Sequence, residues 1–297
     1  MPYNSDGAKS SSTSSTEEPA RATERTHPRA LLAERGLRPK KRFGQHFLMD
    51  AGVAARIASL CVQTPNDHVV EIGAGTGALT HALLAAQADV VAVEVDADLV
   101  AILQARADLS GARIVHADAM TLDMATVSGD APWCGAGNLP YNIATPLITG
   151  WIELPNPPQR IVAMVQRDVA DRFIARPGTP AYGSLTLAVS YAMSVRRAFT
   201  LKPDVFYPKP GVDSAVVVME RLTQPAVAVR DRAFFLKVVR AAFAYRRKTL
   251  ANSISLALGI ERSRTQHVLV QLGYDTEIRG EQLDLAAFGA VADGLVA

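Results

Sequence analysis

Cysteine is scarce in this chain: two in 297 residues, Cys61 and Cys134. They lie far apart, with no Cys-x-x-Cys and no histidine at ligand spacing. That excludes a structural zinc site of the usual kind and points to a reducing compartment. No stretch approaches the roughly 18 apolar residues that a membrane-spanning helix needs. A charge excess is missing too, since the formal net charge is only +2. Affinity for a polyanion would have to come from where the cations sit, not from their number. No internal repeat appears, which sets solenoids aside. The first thirty residues have few large apolar side chains and are rich in Ser, Thr, Ala and charge. Such a segment cannot bury enough surface to offset its ordering entropy, so residues 1–38 are expected to be a disordered tail. The segment also lacks the apolar centre of a signal peptide, and Asp6, Glu17, Glu18 and Glu24 speak against a mitochondrial presequence. The expectation is a cytoplasmic protein.

What is present begins with length. A chain of 297 residues, 48% hydrophobic, has room for one large domain and one small one. The first chemical signal is the cluster Pro39-Lys40-Lys41-Arg42-Phe43-Gly44-Gln45-His46-Phe47-Leu48. Cations interleaved with phenylalanines suit a polynucleotide backbone, with Lys41 and Arg42 as candidate RNA contacts. A solvated charge run is the plainer alternative. Val53, Ile57 and Leu60 then recur at helical spacing over residues 51–62.

Residues 68–72 read as an apolar strand that runs into Gly73-Ala74-Gly75-Thr76-Gly77, with a helix beginning near Ala78. Glycines at Gly73 and Gly75 let a backbone approach a ligand, and the helix start can face it. A second strand at residues 90–95 contains Glu94, placed to accept both hydroxyls of a ribose. This βαβ unit is expected to bind a nucleoside-containing cofactor. The Gly-x-Gly-x-x-Ala pattern formally fits NAD and is weak alone. Three features favour S-adenosylmethionine instead. Glu71, just before the glycines, suits a cationic amino-acid tail better than a pyrophosphate. A third strand, residues 113–117, ends at Asp118, an acceptor for an adenine amino group. A fourth strand then delivers Asn138-Leu139-Pro140-Tyr141, which has no task in hydride transfer.

That last stretch organises the reading. Asn138 offers an amide oxygen. The Leu139 carbonyl is directed by Pro140, which holds its predecessor extended. Tyr141 gives a ring on which a base can lie. Two acceptors beside a stacking ring are what methylation of an adenine N6 requires; a plain β-turn with a core tyrosine is the alternative. Further strands are expected at residues 160–166, 195–199 and 214–219, and helices at 168–174 and 183–191. Residues 206–210 form a proline-stiffened loop. Phe206 is expected to cover the second face of the base; otherwise it plugs the space beneath the loop. A boundary falls near residues 223–226, and the pattern beyond it is helical. Residues 230–248 hold seven cations and one acid, interleaved with Phe234, Phe235, Phe243 and Tyr245. Arg246, Arg247 and Lys248 are the RNA candidates there. Short helices are expected at residues 263–272 and 283–285.

These motifs together resemble the small-subunit ribosomal RNA adenine N6-dimethyltransferases, the KsgA family. The likeness runs from about Lys40 to the C-terminus. It rests on residues 43–48, Glu71-Ile-Gly-Ala-Gly-Thr-Gly77, Glu94, Asp118, residues 137–141, Phe206-Tyr-Pro-Lys-Pro210 with Val212-Asp213-Ser214, and Ala241-Ala-Phe-Ala-Tyr-Arg-Arg-Lys-Thr-Leu250. The resemblance implies an α/β fold: a Rossmann-like seven-stranded methyltransferase sheet at residues 39–222 and a small all-α domain at residues 223–297. It implies S-adenosylmethionine as cofactor and no metal. His46 and Leu48 would border that cofactor, with Gly73 beneath its methionine part, Glu94 on the ribose, and Asp118 and Asn138 completing the pocket. The substrate would be two adjacent adenines near the 3′ end of 16S rRNA in the small subunit or its precursor, each receiving two methyls, and the enzyme a monomer. Two positions depart from the family: His46 stands where Asn is more usual, and Ala74 where Pro is. His46 makes its contact titratable in principle. The rival readings are a large-subunit rRNA methyltransferase of the macrolide-resistance type, a mainly non-enzymatic assembly factor and, least, an NAD oxidoreductase.

Overall fold

The computed structural model describes residues 27–140, 143–245 and 247–296. A seven-stranded sheet with strand order β4-β3-β2-β5-β6-β9-β7 carries the fold. Its strands are β2 (His68–Ile72), β3 (Asp89–Glu94), β4 (Arg113–His116), β5 (Trp133–Asn138), β6 (Arg160–Gln166), β7 (Met193–Leu201) and β9 (Ser214–Arg221). The first five run parallel; β9 lies antiparallel between β6 and β7. A two-residue strand β1 (Phe47–Leu48) pairs with β8 (Phe206–Tyr207) apart from this sheet. The chain moves from β2 outward to β3 and β4, then returns to β5 on the other side of β2. That reversal makes a crevice beyond the carboxyl ends of β2 and β5, where ligands of such sheets bind.

Helices cover both faces, so the central strands are buried on both sides and read as continuous apolar runs. On one face α2 (Ala51–Cys61) and α3 (Ala78–Ala85) place Ile57, Ala58, Leu79 and Leu83 against Val69, Val90 and Ala92. On the other, α6 (Ala144–Glu153) and α7 (Arg167–Phe173) pack Ile148, Trp151 and Phe173 against Val70, Ile161 and Val217. The remaining helices of this part are α1 (Pro28–Glu34), α4 (Ala97–Ala105), α5 (Ala125–Ser128) and α8 (Ser184–Ala192). Beyond the sheet lie α9 (Arg232–Ala244), α10 (Leu250–Leu258), α11 (Arg262–Gln271) and α12 (Leu285–Leu295). Asp231, Thr249 and Asp284 cap α9, α10 and α12 with side-chain oxygens, as N-caps do. These helices share one cluster with α8, in which Tyr191 and Phe235 stack at 5.0 Å and Tyr182 donates its hydroxyl to the Leu283 carbonyl at 2.8 Å.

Two expectations need correction. The disordered tail was expected through residue 38, yet residues 28–34 form α1, with Pro28 at its first turn and Leu32 3% exposed. Leu32 finds an apolar partner surface that Leu37 shares, and Pro28 is buried too; a composition argument cannot foresee this. Residues 1–26 lie outside the described residues. The short helix expected at 283–285 instead becomes α12, eleven residues long. Gly289 and Gly294 argue against a helix by propensity, but a Cβ at either would come within 2.8 Å of Val227 or 2.7 Å of Val268. Tertiary packing needs those glycines and overrides propensity.

Close approach also explains Gly135. A Cβ there would sit 2.5 Å from Trp151 Cζ3. α6 therefore lies tight on β5, and Trp133 meets Trp151 edge-on at 5.7 Å. Gly135→Ala should lower unfolding free energy by about 1–3 kcal/mol, the usual cost of overpacking a filled core. Urea denaturation reads the loss, and the double variant with Trp151→Phe should recover part of it.

Candidate active site

The site is built on the turn after β2. Gly73, Gly75 and Gly77 all have positive φ, at 74°, 60° and 87°, a conformation that only glycine adopts without strain. Gly75 donates its N–H to Glu94 Oε2 at 2.8 Å, while Glu94 Oε1 accepts from the N–H groups of Val95 and Asp96, both at 3.0 Å. Glu94 thus ties the glycine turn to the turn after β3. Burial pushes its carboxyl above the ordinary range, against the pull of those three donors. Among the described residues Oε2 accepts one N–H and keeps a second lone pair, so Glu94 can still take a hydroxyl at the cleft wall.

The cleft beyond the strand ends is open to solvent, and the space within it, solvent included, is about 720 Å³. His46, Gly73, Gly75, Glu94, Asp118 and Asn138 all line it, so the structure brings these expected site residues together. Leu48 borders a smaller adjoining cavity with Glu71, Gly73, Gly75 and Asn138. Asp118 is exposed and accepts the Met120 N–H at 2.9 Å. Asn138 Nδ2 donates to the His46 carbonyl at 2.7 Å. That bond occupies the donor end of the amide; among the described residues Oδ1 accepts nothing and is the end left to a ligand. His46 Nδ1 contacts the Pro208 carbonyl at 2.7 Å, joining residue 46 to the 206–210 loop. Leu139 is 1% exposed, and its N–H donates to Met164 O at 3.0 Å. Pro140 O accepts from Ile143 and Ala144 and starts α6. Tyr141 lies outside the described residues.

Phe206 is placed differently from the expectation. It is 1% exposed, pairs with Leu48 across β1–β8 and packs in the core beneath α2 and α3. A ring buried to that degree has no face to offer a base, so the plug reading holds here. In the helical part, Phe235 is fully buried, and Phe243 packs between Tyr182 and Phe288 at 6.0 and 5.9 Å. Those aromatics belong to the core rather than to an RNA surface. Arg247 and Lys248 are exposed in the turn between α9 and α10, with Tyr245 43% exposed beside them; Arg246 lies outside the described residues. Lys41 and Arg42 are exposed as well, and the Arg42 guanidinium lies 4.6 Å from the centre of the Phe43 ring.

Sequence reasoning missed the fastening of residues 40–47. Lys40 Nζ reaches Asp96 Oδ1 at 2.6 Å and Asp98 Oδ2 at 2.7 Å. Gln45 Nε2 donates to Asp96 Oδ2 at 2.9 Å, and the Lys40 N–H donates to Gln45 Oε1 at 2.7 Å. Burial would raise the Asp96 carboxyl, but the bonds from Lys40 and Gln45 bring it below its ordinary value. The usable signal was the lone Gln between aromatics, which a solvated cation run does not need.

Glu71 supplies the test of fit for a cationic cofactor. It is 2% exposed, accepts from Thr80 Oγ1 at 2.6 Å and borders the smaller cavity. Among the described residues no cation lies within salt-bridge distance. Burial drives its carboxyl up to about 7, partly offset by the Thr80 hydroxyl and assisted by the charge of Glu94. A buried acid facing a cavity without a counter-ion suits an ammonium group. Its sign in stability is definite. The folded value lies above the ordinary 4.5, so the folded protein binds more protons between about pH 4.5 and 7 and loses stability as pH rises through that window. Glu71→Gln should flatten this fall by up to about 1.4 kcal/mol per pH unit. Urea titrations of both proteins from pH 5 to 8 measure the difference.

The geometry can be set beside known proteins. The family model described as ribosomal RNA adenine dimethylase matches residues 36–286. The protein named ribosomal RNA small subunit methyltransferase A of Streptococcus gordonii is 40% identical over 276 residues, covering 90% of this chain and 95% of that one. Its Streptococcus pneumoniae counterpart of the same name shows the same identity and coverage. Among solved structures, a dimethyladenosine transferase from Plasmodium falciparum aligns with a TM-score of 0.66 at 22% identity, over 83% of this chain and 96% of that one. The 23S rRNA methyltransferase ErmE aligns with a TM-score of 0.64 at 23% identity, over 84% and 99%. These two structures share the fold. With a family match across most of its length and such relatives in sequence, the chain belongs to the ribosomal RNA adenine dimethylase family.

Proposed function

We propose that this protein transfers methyl groups from S-adenosylmethionine to N6 of two adjacent adenines near the 3′ end of 16S rRNA, producing N6-dimethyladenosines during small-subunit biogenesis. The observation that carries the reading is the tethered amide of Asn138, poised at the end of β5 beside the glycine turn in a chain of this family. The relatives at 40% identity named for the small subunit favour that substrate over the large subunit. No helix among the described residues is long and apolar enough to cross a membrane. A monomer working in the cytoplasm fits the reading.

Gly73 and Gly75 would cradle the cofactor, Glu94 its ribose, Asp118 its adenine amine and Glu71 its ammonium. When bound, that cofactor supplies an electrophilic sulfonium methyl. The adenine is taken out of its stack, and its N6 hydrogens point at Asn138 Oδ1 and the Leu139 carbonyl. These acceptors would draw the amine out of conjugation with the ring and leave its lone pair available for the methyl that the cofactor would supply. Tyr141 stacks on one face of the base, worth about 1–3 kcal/mol. No strong base is needed before attack, because the nitrogen becomes acidic only as it bonds to carbon. Positioning by these groups can contribute roughly 7–11 kcal/mol. The exposed cations Lys41, Arg42, Arg247 and Lys248, together with Arg246, would hold phosphates outside the cleft.

Mass spectrometry of 16S rRNA from cells with and without the gene tests the reading directly. Loss of N6-dimethyladenosine in the deletion is expected, and unchanged rRNA would sink it. Asn138→Ala should cut methyl transfer by roughly two orders of magnitude or more, since it removes an acceptor used in the transition state. The variant should still fold and bind RNA; transfer near the wild-type rate would refute the amide's role. Changing Arg246, Arg247 and Lys248 together to Gln should weaken RNA binding and flatten its salt dependence by up to about 0.9 per lost duplex contact. Cofactor affinity should stay the same, and a wild-type salt slope would remove this turn from the RNA surface.

A further inference from the structure

One wall of the cleft, residues 43–47, is formed by a segment with little regular secondary structure of its own. Its only strand, β1, is two residues long and pairs with two residues of β8. A ladder that short has little independent stability in water. Beyond the tethers of His46 to Asn138 and to the Pro208 carbonyl, two further contacts from outside the cleft brace the wall. The first is Leu32 of α1, packed with Phe47, Leu99 and Ile102. Phe47 and Leu99 line the cleft, and Leu32 does not. Phe47 in turn rests on the glycine turn, where a Cβ on Gly75 would come 3.1 Å from Phe47 Cδ1. Leu32, Phe47 and Gly75 therefore form one packed column running from α1 to the cofactor cradle. The second contact is Lys40 with Asp96 and Asp98, at the start of α4, reinforced by Gln45.

α1 has no reason to form by itself. A helix of seven residues is too short to be stable in isolation. Its ordering depends on Leu32 finding the surface of Phe47, Leu99 and Ile102, and Leu32 adds to the packing that holds Phe47 against the glycine turn. Such mutual dependence couples α1 to whatever occupies the cleft, because a coupling free energy acts equally in both directions. α1 ends before residue 36, where the family match begins.

We propose that α1 is a brace for cofactor retention. Leu32 and Lys40 are positioning residues: neither touches the cofactor, and together they hold residues 43–47 against the glycine turn. They set how long the nucleoside cofactor stays in the cleft and leave the chemistry of the methyl group alone. The inference rests on the reading of this cleft as the S-adenosylmethionine site.

The test uses the full chain with S-adenosylhomocysteine as the binding probe and S-adenosylmethionine with rRNA for turnover. Leu32→Ser should raise the probe's dissociation constant and the cofactor KM by roughly tenfold, the order expected for losing one buried leucine contact. It should speed probe release in stopped flow and leave kcat at saturating cofactor unchanged. Leu32→Met should restore retention. Lys40→Met should shift the same constants in the same direction, and it decides the matter alone if Leu32→Ser does not fold. Hydrogen exchange over residues 28–34 should slow when the probe binds to the wild-type protein. Folded Leu32→Ser and Lys40→Met proteins with wild-type dissociation constant and release rate would overturn the brace. So would a fall in kcat with unchanged cofactor KM. A wild-type protein that fails to bind the probe would remove the cofactor reading itself, and the brace with it.

Discussion

A hydrogen bond between segments 92 residues apart, from Asn138 Nδ2 to the His46 carbonyl, is what the site depends on. Without it the amide could turn end for end and present donors to an amine that needs acceptors. Its acceptor is main chain, and that has a consequence for the departure at position 46. Any side chain there leaves the carbonyl in place, so a histidine costs the amide nothing. The imidazole instead turns to the Pro208 carbonyl and joins the arm to the loop beyond β8. One residue thus holds the Asn138 amide through its backbone and the neighbouring loop through its ring.

The parallel strands were legible because a strand buried on both faces reads as a continuous apolar run. Residues 160–166 were placed to the residue. The glycine turn and Glu94 were legible because their backbone geometry and charge demand those residue types. α1 was not, because its partner surface comes from Phe47, Leu99 and Ile102, which lie far away in the sequence. α12 was hidden by glycines that propensity penalises and packing requires. Phe206 shows the limit of motif reasoning: a pattern names the residue, and only the surrounding core tells whether its ring is open or covered. The cation run at residues 40–42 divides. Lys40 serves an internal clasp, while Lys41 and Arg42 face solvent.

The distribution of charge explains how one site can handle a cationic cofactor and a polyanionic substrate. The carboxyl ends of β2 and β3 and the turn beyond β4 carry Glu71, Glu94 and Asp118 around the cleft and its side cavity. Two of these are buried and raised above their ordinary range, so they are short of positive charge. An ammonium or sulfonium group relieves that shortage; a phosphate would worsen it. The exposed cations sit elsewhere, on the arm at Lys41 and Arg42 and at the turn between α9 and α10. Under the proposed function, an RNA backbone would be drawn to those places and kept from the cleft interior, which suits entry of an uncharged base swung away from its phosphates. A net charge of only +2 therefore conceals a separation between acids around the cleft and exposed cations outside it.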